Sequence, residues 1–290
     1  MTQKNLVLNI GGGNKEDQVL FLSPDSKEFE AQSYEETKQR IKNYSAGKGV
    51  VEIIGGNPTE NSRIYEIIEL AKDSGHIVSI NTDCRKFSDM EKARDFVDKG
   101  MKMVSTELHG TRDIHNDIVG EDFFEDIIKG IENLVELGVD VKVSTIFHVK
   151  NVDNFEDLAE KLVDIGVSEW VLEGLVPKEF GVERYKEVGV PHHMVFEILR
   201  DLSKFFDDFE VVKIVNFPEC VKPFDEEKLI KISYFESVEY FGSATDEEPF
   251  KNEFCNSCEF SDNCRGFIKS NLEIFGEENI EKLWEKRKTN

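Results

Sequence analysis

Short runs rich in valine and isoleucine recur along the chain with amphipathic stretches between them, and this alternation limits the fold more than any other feature. The runs cover residues 6–10, 50–54, 77–81, 103–109, 141–147, 170–174 and 211–216. Most lack strict polar alternation, which is how strands buried on both faces of a parallel sheet read. Between them, Phe124, Ile127, Ile128, Ile131, Leu134 and Val135 make one apolar stripe at helical spacing. Phe155, Leu158, Leu162 and Ile165 make a second, and Val195, Leu199, Leu202 and Phe206 a third. Ser33 with Glu36, and Asp153 with Glu156, have the spacing of a capping box. Gly75, Gly100, Gly138 and Gly166 stand where helix-ending glycines stand. The repetition predicts an α/β fold with a parallel sheet and right-handed crossovers, open or curled into a barrel. About six strands are expected over residues 5–175, with the strand near 211 at the open side or leading out. The pattern stops near residue 217. Beyond it come an irregular stretch rich in Phe, Glu and Asp, a cysteine segment, and a last helix around Ile280, Leu283 and Trp284. The expected division is therefore 1–217 and 218–290.

The chain has 290 residues, of which 39% are hydrophobic and 33% charged, enough for a packed core under a solvated surface. Its formal charge of -23 argues against non-specific binding to nucleic acid or anionic membrane, which carry the same sign. A basic or peptide partner fits that charge. The opening MTQKNLVLNIGGG has too short an apolar run for a signal peptide or a membrane span. A cytoplasmic location is expected, and there clustered cysteines indicate metal binding or catalysis more often than disulfides.

Three of the five cysteines, Cys255, Cys258 and Cys264, lie in CNSCEFSDNCRGF, and Cys220 lies upstream in NFPEC. A Cys-x-x-Cys pair puts two thiolates on one tight turn, a third closes that turn, and a fourth from a distant segment completes a tetrahedral set. Such a set suits zinc or an iron–sulfur cluster, and spacing alone does not separate them. The fifth, Cys84, ends a strand in INTDCRK and reads as a small apolar filler.

With these residues in view, the chain resembles the radical SAM superfamily over about residues 5–270. VEIIGGNPTENS at the second strand resembles that family's GGEPT turn. STELHGTRDIHNDIVGEDFFEDIIKGIENLVELG is similar to its SLHG…HD…G…F…GI..L…G stretch, and VKVSTIFHVKN to its fifth strand. The cysteine tail is similar to the auxiliary-cluster segment called SPASM or twitch. The resemblance implies a partial (β/α)6 TIM-like barrel with a small C-terminal cysteine-rich metal-binding extension. It implies S-adenosylmethionine as a ligand at the strand ends, held by residues at Gly55, Gly56, Asn57, Thr59, Glu107, Asn151 and Leu175. It also implies one 4Fe-4S cluster on Cys220, Cys255, Cys258 and Cys264, with zinc as the other candidate there. Ligands of such barrels bind where strand C-termini and their loops meet, and these residues sit at or just past such ends.

Two departures fall on the motifs that would touch the ligand. The family's Cys-x-x-x-Cys-x-x-Cys follows the first strand; here that loop reads GGGNKEDQVLF, with Gly13, Asp17 and Leu20 in the cysteine places, and no cysteine precedes Cys84. The GGE glutamate is Asn57, which keeps an acceptor but loses the charge that favours an ammonium. Ile268 stands where a further tail cysteine would support a second auxiliary cluster.

His109, Asp113, His115 and Asp117 crowd one segment. His109 and Asp117 are read as capping and tying down that loop, as the resemblance implies, since no two-His-one-carboxylate spacing is set on one element. Glu107, on the strand itself, and His109 are the candidate catalytic groups. Three functions compete. The first is a divergent member without the SAM-cleaving cluster, acting as a binding or accessory subunit in peptide or small-molecule modification. The second is an enzyme using S-adenosylmethionine or the auxiliary cluster in a non-standard way. The third is a zinc-stapled α/β binding protein.

Overall fold

A computed structural model describes residues 5–11, 31–44, 49–175, 185–222, 250–262 and 264–288. Gly13, Asp17 and Leu20, and most of the stretch between Cys220 and Cys255, lie outside the described residues.

Seven strands form one sheet in sequential order: β1 (Leu6–Asn9), β2 (Val50–Ile54), β3 (Ile77–Asn81), β4 (Met101–Glu107), β5 (Asp140–Ile146), β6 (Glu169–Glu173) and β7 (Val211–Val215). The pairs β1–β2, β2–β3, β3–β4 and β6–β7 are parallel. Helices α1 (Tyr34–Asn43), α2 (Ile64–Asp73), α3 (Met90–Lys99), α4 (Arg112–Val119), α5 (Phe124–Glu136), α6 (Phe155–Ile165) and α7 (His192–Leu202) fall between strands, and α8 (Lys269–Lys288) follows. Six strands lie within residues 5–175, as the repetition predicts. The seventh pairs along its length with β6, from Glu169↔Val211 to Glu173↔Val215, and ends the sheet. Among the described residues, sequential strands with β1 and β7 at the two ends of the sheet form an open arrangement, that of a partial (β/α) barrel.

Local signals account for the helix ends. Ser33 caps α1 with a reciprocal box, its backbone N–H donating to Glu36 Oε2 at 2.8 Å and its hydroxyl accepting from the Glu36 N–H at 3.3 Å. Gly75, Gly100, Gly138 and Gly166 all have positive φ after α2, α3, α5 and α6. At α6 the residue before the helix is Asn154 rather than Asp153, and its side chain reaches Thr111 and Asp157.

The chain divides into two compact units. The first comprises Met1–Leu108, His115–Val143 and Ile165–Ser168. Its core holds Leu8, Ile53, Ile68, Val78 and Ile80 from β1–β3 and α2, with Phe87 and Phe96 edge to face at 5.1 Å. Buried Asn133 on α5 donates to the carbonyls of Phe87 and Ser88 at 2.8 and 3.0 Å. Gly130 lies one turn earlier on α5, and a Cβ there would sit 2.1 Å from the Cys84 carbonyl oxygen. Helix α5 therefore rests directly on backbone held by Cys84, a fully buried residue at φ 64. Replacing Gly130 with alanine is expected to cost about 1–3 kcal/mol by overpacking, measured by denaturant unfolding.

The second unit comprises His109–Ile114, Ser144–Asp164 and Glu169–Asn290. Trp170 is fully buried, donates to Thr145 Oγ1 at 3.0 Å and lies 5.4 Å from the Phe209 ring. Phe147 stacks on Phe155 at 4.4 Å and meets Phe217 edge-on at 5.3 Å. Helix α8 is broken at Gly276 (φ 71) and is tied to α7 by polar contacts. Asn279 accepts from the His193 N–H at 3.2 Å and donates to Asn271, which donates to the Tyr185 hydroxyl at 2.8 Å. Lys286 pairs with Glu197.

Candidate functional site

In the first unit, the ends of β1, β2 and β3 are held together by their own side chains. Gly55 and Gly56 have φ of 115° and 57°. A Cβ on Gly55 would sit 2.0 Å from Asn9 Oδ1 and 2.8 Å from the Gly11 nitrogen. Its missing side chain thus lets the β1 exit pass against the β2 exit. Asn61 fastens the same turn by donating to the Ile10 carbonyl at 2.9 Å.

Asn57 is buried, with both ends of its amide engaged. Its Oδ1 accepts from the Thr59 hydroxyl at 2.7 Å and the Thr82 hydroxyl at 2.9 Å, and its Nδ2 donates to Asp83 at 3.2 Å. Two hydroxyls fill both lone pairs of the amide oxygen. Asp83 is in turn matched by Arg85, with Nη2 at 2.6 Å, Nε at 2.7 Å and the Arg85 backbone N–H on Oδ1 at 3.0 Å. The Arg85 guanidinium also lies 4.3 Å from the Phe123 ring centroid. Lys86 donates to the Thr59 carbonyl at 2.6 Å and pairs with Glu60. Asp83 and Arg85 are the residues that sequence reasoning passed over. INTDCRK places them at a strand end, the signal used for every other candidate. Glu107 ends β4 with 8% exposure, and burial pushes its carboxyl up to about 8, so it is mostly protonated at neutral pH.

In the second unit, burial pushes the His109 imidazole down to about 4, so it is neutral at pH 7. Its carbonyl accepts from Asn151 Nδ2 at 2.8 Å. The same amide donates to the Ile146 carbonyl at 2.8 Å and accepts from the His148 N–H at 2.9 Å. The Asn151 side chain therefore ties the β5 exit to the segment after β4. Leu175 is buried just past β6. Asp113, in this unit, and His115 and Asp117, in the first, fall on α4, a helix where the sequence reads as a loop.

The four tail cysteines all belong to the second unit. Cys220 stands on a 3-10 turn (Glu219–Val221) soon after β7, and Cys255 on another (Glu253–Ser257). Asn252 caps the latter, its Oδ1 accepting from the Phe254 N–H at 3.2 Å and lying 3.4 Å from Cys255 Sγ. The Cys258 N–H donates to the Cys255 carbonyl at 3.2 Å, closing the Cys-x-x-Cys turn. Phe250 and Phe267 form an antiparallel bridge flanking the segment. Two backbone N–H groups converge on Cys264 Sγ, that of Gly266 at 3.3 Å and that of Glu219 at 3.4 Å. The second comes from the residue beside Cys220, so the two cysteine segments are joined at sulfur. Cys220, Cys255 and Cys258 line a cavity whose other walls include Phe254, Phe267 and Trp284. Burial pushes the Cys220 thiol up, Cys264 and Cys258 push it the same way, and Arg287 pulls it down. Among the described residues, no three His, Cys, Asp or Glu side chains are gathered closely enough to hold a single metal ion. Cys84 stands apart, and burial drives its thiol far above the reactive range.

The sequence matches the family described as the Radical SAM superfamily over residues 14–162. It is 26% identical over 173 residues to a probable GTP 3′,8-cyclase of Saccharolobus solfataricus, covering 59% of this chain and 53% of that protein. It is 24% identical over 148 residues to an AdoMet-dependent heme synthase of Oleidesulfovibrio alaskensis, covering 50% and 38%. The chain spans about half the length of the cyclases it matches. Among solved structures, native anSMEcpe with bound AdoMet superimposes with a TM-score of 0.62 at 15% identity, covering 97% of this chain and 95% of that one. Streptococcus suis SuiB bound to the precursor peptide SuiA gives 0.60 at 11% identity, covering 93% and 73%. At these identities the likeness shows the fold.

Proposed function

Since the chain belongs to the radical SAM superfamily, we propose that it is a divergent member that does not cleave S-adenosylmethionine reductively, and that it serves as a binding or accessory subunit in peptide or small-molecule modification. One observation carries this reading: the sequence between β1 and α1 contains no cysteine. Glycine and leucine cannot ligate iron, and the cleaving cluster needs three thiolates there to leave one iron open. Asn57 supports it, because the amide oxygen in the place of the family's glutamate already accepts two hydroxyls and has no lone pair for an ammonium. A peptide partner is supported by the likeness to SuiB, which is bound to a precursor peptide, and by the charge of -23.

The same reading assigns one 4Fe-4S cluster to Cys220, Cys255, Cys258 and Cys264. Cys220, Cys255 and Cys258 line one cavity, and Cys264 sulfur receives two N–H donors, as ligating thiolates do. Zinc fits less well. It draws its thiolates to about 2.3 Å from one ion, and no such gathering exists among the described residues. A cluster spreads its ligands around a larger cube. When bound, it supplies one-electron transfer; the protein's part is to hold the thiolates and exclude water with Phe254, Phe267 and Trp284.

Reconstituted protein incubated with dithionite and S-adenosylmethionine is expected to yield no 5′-deoxyadenosine by mass spectrometry. Multiple turnovers above the level of the Cys258→Ala variant would refute the reading.

A further inference from the structure

Resting on the assignment of a cluster to the tail cysteines, we infer that Arg287 is the positioning residue of that site: it clasps the Cys220 turn against the Cys-x-x-Cys segment and supplies the positive charge beside the buried sulfur. Arg287 lies in the last turn of α8, far in sequence from every cysteine, and its side chain is 17% exposed. Its Nη1 donates to the Lys222 carbonyl at 2.8 Å and to the Cys220 carbonyl at 3.4 Å. Its Nη2 reaches Glu259, the residue after Cys258, at 3.4 Å. The guanidinium plane lies 4.8 Å from the Phe260 ring centroid. One side chain thus joins the two backbone segments that bear the sulfurs, independently of anything bound between them. The fork matters, because a planar guanidinium serves two carbonyls and a ring together, which an ammonium does not.

The charge matters for a second reason. Apart from the three cysteines and Asn252, the cavity is lined by Phe254, Phe267, Ile280, Leu283 and Trp284. Charge introduced there is weakly screened. Lys222, the nearby buried cation, is neutralised by Glu219 at 2.9 Å. The carboxylate on Arg287 belongs to Glu259, which is 73% exposed and screened by water. Arg287, hydrogen-bonded to the Cys220 carbonyl at 3.4 Å, is therefore a cation held on the residue that bears the sulfur, and a cation favours the more negative, reduced state of a thiolate-bound centre.

The test uses the full chain, anaerobically reconstituted, as wild type, Arg287→Ala and Arg287→Lys. Iron and sulfide per chain, the rate of iron release to a chelator, and the midpoint potential by redox titration are measured, with far-UV circular dichroism on each. Arg287→Ala is expected to release iron about tenfold faster, the factor expected when a charged hydrogen bond to a ligand-bearing turn is removed, and to have a more negative potential. Arg287→Lys separates the two roles: the potential stays near that of wild type while iron release is fast. A merely structural arginine would change retention without moving the potential. Variants matching wild type in both readouts, or an unchanged potential in Arg287→Ala, would overturn the assignment while leaving the cluster in place. Iron-free wild type would overturn the cluster and the clasp together. If the alanine variant does not fold, the lysine variant still decides, since wild-type retention in it would exclude the clasp.

Discussion

Cys258→Ala protein, purified anaerobically, is expected to lose its brown colour and most of its bound iron, while Cys84→Ala retains both. Cys258 is the second thiol of the Cys-x-x-Cys turn, donating its N–H to the Cys255 carbonyl and lining the same cavity as Cys220 and Cys255. Without it, three thiols would remain to hold a cluster that needs four. Cys84 lies in the first unit, fully buried under α5, so its loss costs packing and not metal. The segment around Cys255 has short turns and one isolated bridge, and bound metal contributes folding free energy where no large core does. Melting should therefore fall together with iron content. Iron content is read by absorbance and chemical assay; stoichiometric zinc with no iron in the wild type would reject the iron assignment.

Glu107→Gln is expected to raise stability above that of wild type at pH 9, with the difference vanishing by pH 4.5. Burial holds the Glu107 carboxyl at about 8 in the folded protein, against 4.5 for the free group. Between those values the unfolded chain has released the proton that the folded chain keeps. Stability from this group is whole below pH 4.5 and is lost as pH rises through 8. At about 1.4 kcal/mol per pH unit over that window, the loss is about 5 kcal/mol at most. Glutamine keeps the shape and carries no proton to lose. His109 acts at the other end. Burial lowers its imidazole from 6.5 to about 4, so its contribution is present above pH 6.5 and lost as pH falls through 4. The variant should keep this acid limb and lose the alkaline one. Chemical denaturation at pH 5, 7 and 9 measures both, and an undiminished alkaline loss in Glu107→Gln would place its origin elsewhere.

Much of the fold was legible because its determinants are local. Strands buried on both faces need runs of Val and Ile, and helices leaning on such a sheet need stripes at helical spacing. The seven runs became seven strands, each within a few residues, and the four helix-ending glycines took positive φ. Errors fell where tertiary contacts chose between near-equal local options. Asn154, rather than Asp153, precedes α6, where its side chain reaches Thr111 across 43 positions of sequence. The segment from Arg112 to Val119 reads as polar loop, yet forms a helix with His115 buried against Phe124.

For the candidate site the division is sharper. The sequence by itself determined which chemistry is available: four cysteines in the last third of the chain, none before Cys84, and an amide at position 57. Covalent composition decides those facts, and no folding changes them. Only the tertiary structure decided how those groups are occupied. It turned Asn57 toward two hydroxyls, matched Asp83 with Arg85, and used the bare face of Gly55 for Asn9. It also carried Arg287 from the last helix to the carbonyls behind Cys220. Such partners are distant in sequence, and only the stacking of parallel strands and the docking of α8 on α7 brings their polar groups within 3 Å or so.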